Sequence, residues 1–347
     1  MLIHDLDTPA LVCDLDVLER NLAATAARCR DLGIPLRAHT KSHKIPELAH
    51  RQLAAGAHGI CCQKVGEAEV MVAAGIGDVL IPYNIVGPAK VERLLRLARR
   101  ATITVALDSA DTARGIAEVA RREGGAVRAL IELDTGGRRC GVPSPAAALA
   151  LARAVADLPG LDLRGLLTYP SRPEAKPVLD EAAALLRGAG LPVEVVSGGG
   201  TGLETVSREL GCTETRSGSY VWEGLDRVRG RDDLDPARCP VRVITTVVSA
   251  PAPGRVIVDG GMKTFTSYPP LPYGSCVEHP EIAFQAMSVE HGHVDVSRSA
   301  HRFRVGERLT FIPLHQGMTV NLHDELVGYR GERVEVVWPI LGRGKVR

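Results

Sequence analysis

The sequence is poor in aromatic side chains and has no excess of charge of either sign. Only 3% of its 347 residues are aromatic, and its formal net charge is +1. A protein that binds nucleic acid needs a basic surface and, for single strands, aromatic side chains on which bases stack. We therefore predict that nucleic acid is not a partner of this chain.

Long apolar runs are also missing. Arg, Glu or Gly interrupts each apolar stretch well before the roughly 18 residues that a membrane-spanning helix needs. The first residues, MLIHDLDTPA, contain no basic stretch followed by an apolar core. We therefore expect no signal peptide, no membrane partner and a cytoplasmic location.

The eight cysteines include no C-x-x-C pair. Disulfides are rare outside oxidising compartments, and a chain of this length can bury a sizeable core without them. We therefore expect buried free thiols rather than a disulfide framework.

Apolar, β-prone runs alternate with helical patterns from about residue 16 to about residue 225. The predicted strands are Pro35–His39, Gly59–Cys62, Val79–Pro82, Thr102–Leu107, Val127–Leu133, Leu161–Thr168, Val193–Ser197 and Cys212–Arg216. Such alternation predicts parallel pairing with right-handed crossovers, and eight units of this kind favour a closed barrel. A doubly wound open sheet is the alternative.

The composition changes after about Gly230, where short alternating runs separated by turn signals replace the helical patterns. This pattern is typical of an all-β domain. The strand-like run Ala10–Asp14 can join that domain. We therefore predict an α/β fold: an eight-stranded (β/α)8 barrel over residues 15–230 and a C-terminal all-β domain over residues 231–347, joined by the N-terminal strand within residues 1–14.

A loop rich in cations, Arg37-Ala38-His39-Thr40-Lys41-Ser42-His43-Lys44, extends past the first predicted barrel strand. The loops after the strands build the active site in barrels of this type. A lysine forms a Schiff base only after it loses its proton, and neighbouring cations lower its pKa. Lys41 and Lys44 are therefore candidates, with a solvated basic loop as the alternative.

A glycine-rich turn, Ser197-Gly198-Gly199-Gly200-Thr201-Gly202, follows the seventh predicted strand. Glycines let backbone N–H groups approach an anion, and the helix N-terminus behind them adds positive partial charge. Phosphate sites in barrels commonly use the loops after strands seven and eight. A phosphate site and a Schiff-base lysine at one barrel mouth together predict pyridoxal phosphate.

Three further side chains follow barrel strands. An arginine in the turn after strand five, which contains Arg138 and Arg139, is a candidate partner of the phenolate oxygen of the cofactor, with a plain surface turn as the alternative. Tyr169, after strand six, can stack on the cofactor or contribute to the core. Arg216 closes strand eight, where the pyridine nitrogen is expected, and a salt bridge with Glu214 is the alternative.

Two histidine clusters stand out in the predicted β domain, Glu290-His291-Gly292-His293 and the run from His315 to Asp324. Histidines beside carboxylates suggest a metal site or an acid–base pair. On an extended strand His315 shares a face with Gly317, which offers no side-chain ligand, and Asp324 faces the other way.

The sequence resembles the D-threonine aldolase and D-serine dehydratase group, within the alanine-racemase-like (fold-type III) pyridoxal-phosphate enzymes. The resemblance rests on motifs in one order along the chain: Thr8–Val12, Asp16–Asn21, Arg37–Lys44, Glu67–Glu69, Asp134–Gly136, Arg139–Gly141, Ser197–Thr201, Gly218–Tyr220, Asp259–Lys263 and Glu290–Gly292.

The resemblance implies a homodimer that acts on a small amino-acid substrate, and it implies that Lys41 rather than Lys44 carries the cofactor. The cofactor-binding residues are then His39, Lys41, Arg139, Tyr169, Ser197, Gly199, Gly200, Thr201, Arg216 and Tyr220. Members of the group usually hold a divalent metal, Mn or Zn, with a histidine and an Asp or Cys two residues later. Here the segment reads His315-Gln316-Gly317, so only His315 remains as a metal ligand.

The leading hypothesis is a lyase that cleaves a D-configured β-hydroxy amino acid to glycine and an aldehyde. Without a complete metal site, His315 or a second histidine such as His291 has to act as the base. Two reactions stay open as alternatives: dehydratase-type β-elimination to a 2-oxo acid and ammonia, and metal-independent racemisation. A pyridoxal-phosphate carrier without turnover is a further alternative, disfavoured by the second domain.

Overall fold

The computed structural model describes residues 1–225, 235–269 and 271–347. These residues form two compact units. The barrel unit comprises Ala24–Lys41, Pro46–Gly218 and Gly344–Arg347, and the sheet unit comprises Met1–Ala23, Ser42–Ile45 and Ser219–Arg343. The predicted boundary between residues 230 and 231 lies outside the described residues and remains a prediction.

The barrel unit contains a closed barrel of eight parallel strands, as the sequence predicts. The strands are β2 (Leu36–His39), β3 (Gly59–Cys61), β4 (Asp78–Ile81), β5 (Thr102–Leu107), β6 (Val127–Glu132), β7 (Leu161–Leu167), β8 (Val195–Gly199) and β9 (Glu214–Ser217). Each strand pairs with the next along the chain, and β9 pairs with β2 to close the barrel. The open doubly wound sheet is therefore excluded.

Helices follow the strands because their apolar residues recur on one face. In the helix Ala110–Glu123, buried Ala113, Ile116 and Ala120 are spaced three and four apart, and Ser109 caps its first turn through the backbone N–H of Thr112. The helices are α1 (Leu15–Asp31), α2 (Pro46–Ala54), α3 (Val65–Ala73), α4 (Pro88–Ala98), α5 (Ala110–Glu123), α6 (Pro145–Ala156), α7 (Lys176–Gly188) and α8 (Glu204–Glu209). No helix of the described residues is both long and apolar enough to cross a membrane.

The sheet unit is mostly β, with one nine-stranded sheet in the order β13-β14-β11-β10-β1-β16-β17, while β15 pairs with β10 and β12. Its strands are β1 (Ala10–Asp14), β10 (Val241–Ala252), β11 (Arg255–Val258), β12 (Gly274–Cys276), β13 (Ala283–Met287), β14 (Gly292–Asp295), β15 (Arg308–Pro313), β16 (Glu325–Arg330) and β17 (Arg333–Pro339). The prediction that Ala10–Asp14 joins this sheet is confirmed, because it pairs with β10 and β16.

One local expectation is wrong. The segment after His315 is not an extended strand but a short helix, α9 (Gln316–Val320), and His315 is its N-cap. The side chain of His315 accepts a hydrogen bond from the backbone N–H of Met318 at 3.2 Å. Helix capping explains the difference, because a side-chain acceptor just before a helix satisfies a backbone donor that would otherwise be unpaired.

The thiols are as predicted. All eight cysteines are free, and all except Cys140 are buried. Burial raises the pKa of Cys61 to about 12, so this thiol inside the barrel is protonated at neutral pH.

Candidate active site

Lys41 lies directly after strand β2, at the carboxyl end of the barrel, in the 3-10 turn Thr40–Ser42. The residue is accessible to solvent, as a lysine that reacts with a cofactor must be. Crowding by protein atoms lowers the pKa of its amine, and the positive charges of Arg139 and Arg216 lower it further. Burial and the two neighbouring arginines therefore favour the neutral, nucleophilic form of the Lys41 amine.

The ring of Tyr169 lies within reach of both guanidinium groups that act on Lys41. The guanidinium carbon of Arg139 is 4.6 Å from the centre of the Tyr169 ring, and that of Arg216 is 5.9 Å away. The face of an aromatic ring attracts a cation, so the tyrosine stabilises two like charges that repel each other. The loops after strands β6 and β7 thus place Arg139 and Tyr169 as the sequence predicts.

His39, the last residue of β2, is buried beside Lys41. Burial lowers its pKa well below the usual range, and the charges of Lys41 and Arg216 add to the effect. One ring nitrogen, Nε2, lies 3.2 Å from Oε1 of Gln63, and the other accepts a long hydrogen bond of 3.4 Å from the backbone N–H of Lys41. His39 is therefore a neutral imidazole that fixes the start of the lysine turn.

The glycine turn after β8 packs closely against the backbone of β9. Gly199 and Gly200 have φ values of 147° and 130°, which favour glycine. A Cβ on Gly199 would lie 2.3 Å from the carbonyl oxygen of Arg216, so only glycine fits there. The hydroxyl of Thr201 accepts a hydrogen bond of 3.3 Å from the backbone N–H of Gly218, which joins the loops after β8 and β9.

A buried chain of hydrogen bonds fixes Arg216. Its Nε donates to the hydroxyl of Ser197 at 2.9 Å, and that hydroxyl donates to Glu214 at 2.6 Å. Burial raises the pKa of Glu214, but a hydrogen bond from His58 and the charge of Arg37 outweigh it and lower the pKa to about 2. Glu214 is thus a permanent anion. It pairs with Arg37 at 2.8 Å, so the salt bridge suggested between Arg216 and Glu214 is replaced by a link through Ser197.

Three polar residues at the same barrel end were not predicted from the sequence. The carbonyl of Thr168 accepts a hydrogen bond from Arg216, and the hydroxyl of Ser171 accepts a hydrogen bond from the backbone N–H of Gly199 at 2.8 Å. The hydroxyl of Ser217 is buried and has no hydrogen-bond partner among the described residues. Thr168 and Ser217 could have been found, because each stands at the carboxyl end of a barrel strand. Ser171 lies further along its loop and gave no such signal.

These residues fit pyridoxal phosphate. The glycine turn suits the phosphate, Tyr169 offers an aromatic face, and the unpartnered Ser217 hydroxyl marks a polar group that the protein alone leaves unsatisfied. Lys41 would hold the aldehyde carbon of the cofactor, and Arg139 would neighbour its phenolate oxygen.

Lys44 has a different role from Lys41. Its Nζ donates to the side-chain oxygen of Asn321 at 2.7 Å, and its carbonyl accepts from the backbone N–H of Gly342. A lysine held by these contacts is a structural residue of the sheet unit.

The remaining candidates belong to the sheet unit. Tyr220 is buried in the 3-10 turn Ser219–Val221. His291 is exposed and immediately precedes strand β14. His315 has a ring contact with Tyr268, with centroids 5.4 Å apart, and no described hydrogen bond or ring contact joins it to His291.

The residues around His315 do not fit a metal centre built from a histidine and a residue two positions later. Gly317 has no side chain to offer, and a Cβ built on it would lie 3.2 Å from the carbonyl oxygen of Ser42. In addition, Nδ1 of His315 accepts the N–H of Met318, so the neutral ring carries its proton on Nε2. That nitrogen then donates a hydrogen bond instead of offering a lone pair to a metal.

Parallel barrels with a lysine of lowered pKa and a glycine-lined anion turn at one end form a recognisable class, the barrel enzymes that use pyridoxal phosphate. Residues 13–225 match the family model described as "Alanine racemase, N-terminal domain", and residues 240–329 match that described as "Putative serine dehydratase domain". The chain belongs to the alanine-racemase-like family of these enzymes.

Several curated proteins and solved structures are similar to this chain over most of its length. It is 40% identical to a D-threonine aldolase of Arthrobacter sp, over 97% of this chain and 93% of that protein. It is 34% identical to a D-threo-3-hydroxyaspartate dehydratase of Delftia sp. (strain HT23), over 89% of this chain and 90% of that protein. The crystal structure of a D-threonine aldolase from Filomicrobium marinum superposes with a TM-score of 0.91 at 35% identity, covering 100% of this chain and 98% of that one.

The charge of Arg139 should set the pH at which Lys41 reacts. Arg139→Gln removes a cation that lowers the pKa of Lys41, so that pKa should rise. The rate at which apoenzyme captures pyridoxal phosphate, followed by absorbance across pH, should then reach half its maximum at a higher pH. Arg138→Gln, an equally exposed neighbour, is the matched control and should leave the midpoint unchanged. Equal midpoints in the two variants would contradict this account.

Proposed function

We propose that this protein is a pyridoxal-phosphate-dependent lyase that cleaves D-configured β-hydroxy amino acids, such as D-threonine, to glycine and an aldehyde. The observation that carries the proposal is the exposed Lys41, whose amine has a pKa lowered by burial, Arg139 and Arg216, at the same barrel end as the glycine-rich turn. The similarity to a D-threonine aldolase over almost the full chain supports the reaction and the substrate class.

The cofactor, when bound, supplies an electron sink for the pair released at Cα when the Cα–Cβ bond breaks. Lys41 Nζ would hold the cofactor between turnovers and would be a free amine of lowered pKa while substrate is bound. Such an amine gives up and takes up a proton at a lower pH than an ordinary lysine, and Cα must receive one proton to yield glycine. The buried Arg216, fixed by Ser197, holds its positive charge at a constant position throughout.

The proton of the β-hydroxyl group must leave for the aldehyde to form. We propose that His315 is the base that takes up this proton, and His291 is the second candidate. The sequence resemblance and the chemistry of imidazole near neutral pH support this assignment. Because Nδ1 of His315 accepts the N–H of Met318, Nε2 carries the ring proton. This N–H can donate a hydrogen bond to the substrate oxygen. Proton uptake by His315 then requires its Nδ1 to release the N–H of Met318.

His315→Asn separates the catalytic role from the capping role. Asparagine is a good N-cap residue and keeps an acceptor for the helix, but it has no imidazole. We expect kcat for D-threonine cleavage to fall about 100-fold or more, the usual contribution of a general acid or base, with unchanged cofactor absorption and melting temperature. Full activity in His315→Asn would show that the histidine only caps α9, and the same exchange at His291 would then identify the base.

Product analysis with D-threonine tests the function directly. We expect glycine and acetaldehyde in equal amounts, with the rate unchanged after chelation, because Gly317 cannot complete the metal pair. Lys41→Ala should abolish turnover. Loss of both products on chelation would contradict the metal-independent reaction.

Dehydration is the second candidate, since residues 240–329 match the serine dehydratase model. It predicts 2-oxobutyrate and ammonia from D-threonine instead of glycine. Racemisation at Cα would yield L-allo-threonine without any cleavage product, and a carrier would show no change of cofactor absorption with any D-amino acid. The homodimer implied by the resemblance is part of the proposal and is checked by light scattering on the purified protein.

A further inference from the structure

Three side chains with metal-binding atoms converge in the sheet unit, and none of them belongs to the residues assigned to the reaction. They are His279, His301 and Glu307, and one ligand atom of each lies within 4.8 Å of those of the other two. His279 follows strand β12, and the other two lie in the segment between strands β14 and β15. The cluster therefore joins two separate stretches of chain.

The two imidazole rings are held in place by packing. They are stacked with their centres 4.7 Å apart, and the ring of Phe303 packs edge-on against both, at 5.0 Å from His279 and 4.7 Å from His301. Phe303 itself is buried. Side chains that are already ordered lose less conformational entropy when they bind a ligand.

The carboxylate of Glu307 is also oriented. One oxygen lies 2.7 Å from Nε2 of His301, and the other accepts the backbone N–H of Arg304 at 3.0 Å. The backbone carbonyl of Glu307 accepts the N–H of Val247 at 2.8 Å, which ties the residue to strand β10. Glu307 is thus held in place through both its backbone and its side chain.

A second carboxylate borders the cluster. An oxygen of Glu281 lies 3.4 Å from Nδ1 of His279, and Glu281 also accepts a hydrogen bond from Ser299. Within the described residues neither Glu281 nor Glu307 forms an ion pair with a lysine or arginine. With neutral imidazoles, two nitrogen and two carboxylate donors therefore carry an uncompensated charge of about −2, which favours a dication.

We propose that His279, His301 and Glu307 bind a divalent transition-metal ion, with Glu281 as a fourth donor. Imidazole with carboxylate suits Zn²⁺, Co²⁺ or Ni²⁺, whereas Ca²⁺ and Mg²⁺ prefer sites made of oxygen alone. Tetrahedral coordination at roughly 2 Å needs donor atoms roughly 3.3 Å apart, so partly exposed side chains have to close by about an ångström. With four protein donors the site is structural and closes the segment around His301 onto the turn at His279.

Co²⁺ titration of the purified, cofactor-loaded protein tests this site, because tetrahedral cobalt with nitrogen ligands gives distinct visible absorption bands. We expect one equivalent to bind, with Zn²⁺ displacing it. His301→Ala and Glu307→Gln should each weaken binding about 10- to 100-fold or more, and Zn²⁺ should raise the melting temperature of the wild type but not of either variant.

Two variants serve as controls. His4→Ala removes another exposed histidine paired with a glutamate, 3.5 Å from Glu332, but without a second imidazole, so binding should be unchanged. His315→Asn should also bind one equivalent as the wild type does. If His301→Ala does not fold, as judged by circular dichroism, Glu307→Gln carries the test, since it keeps the acceptor for Arg304.

Three results would overturn the proposal. The first is the absence of tetrahedral cobalt bands in the wild type, which would leave His301 and Glu307 as a simple ion pair. The second is unchanged affinity in Glu307→Gln. The third is loss of the bands in His315→Asn with retention in His301→Ala, which would place the ion elsewhere. The first two results do not bear on the lyase reaction. The third would place the ion at His315 and would also contradict the metal-independent reaction, so the two variants distinguish failure of this proposal from failure of the proposed function.

Discussion

Repulsion between positive charges at the carboxyl end of the barrel is the constraint on which the proposed chemistry depends. Lys41, Arg139 and Arg216 come from three different strand ends, and only closure of the barrel brings them together. The two arginines keep their charge because guanidinium groups do not lose protons near neutral pH, so the lysine is the group that gives up its proton. The ring of Tyr169 lies within 6 Å of both guanidinium carbons, and its attraction for these cations offsets part of their mutual repulsion.

The desolvation of the Arg216 charge inside the barrel is offset by an anion two residues earlier in the same strand. Glu214 stays ionised, with its pKa lowered to about 2, and it reaches Arg216 through the hydroxyl of Ser197. The carboxylate of Glu214 also contacts Nε of Arg37 at 2.8 Å and Nε2 of His58 at 3.0 Å. Buried charges are stable when they are paired and fully hydrogen-bonded, and here one network supports both the barrel interior and the candidate site.

Strong periodicity made the barrel predictable from the sequence, whereas short elements were not. Strand β5 has the predicted bounds, because a long β-prone run flanked by turns leaves little ambiguity. The short helix α9 lies where an extended strand is predicted. In α9 the decisive interaction is a histidine cap, which propensity alone does not reveal. The candidate site was predictable where a residue ended a strand, as with Lys41 and Arg216, while the cluster around His301 depends on pairing between distant segments.

The central proposal is that Lys41, and not the neighbouring Lys44, carries pyridoxal phosphate, because Lys41 is exposed and the pKa of its amine is lowered. Lys44 donates to Asn321 and is committed to the sheet unit. The most direct measurement is borohydride reduction of the cofactor-loaded protein followed by peptide mass spectrometry. The account predicts a single phosphopyridoxyl adduct on Lys41, and an adduct on Lys44 or on no lysine of the Arg37–Lys44 loop would contradict it.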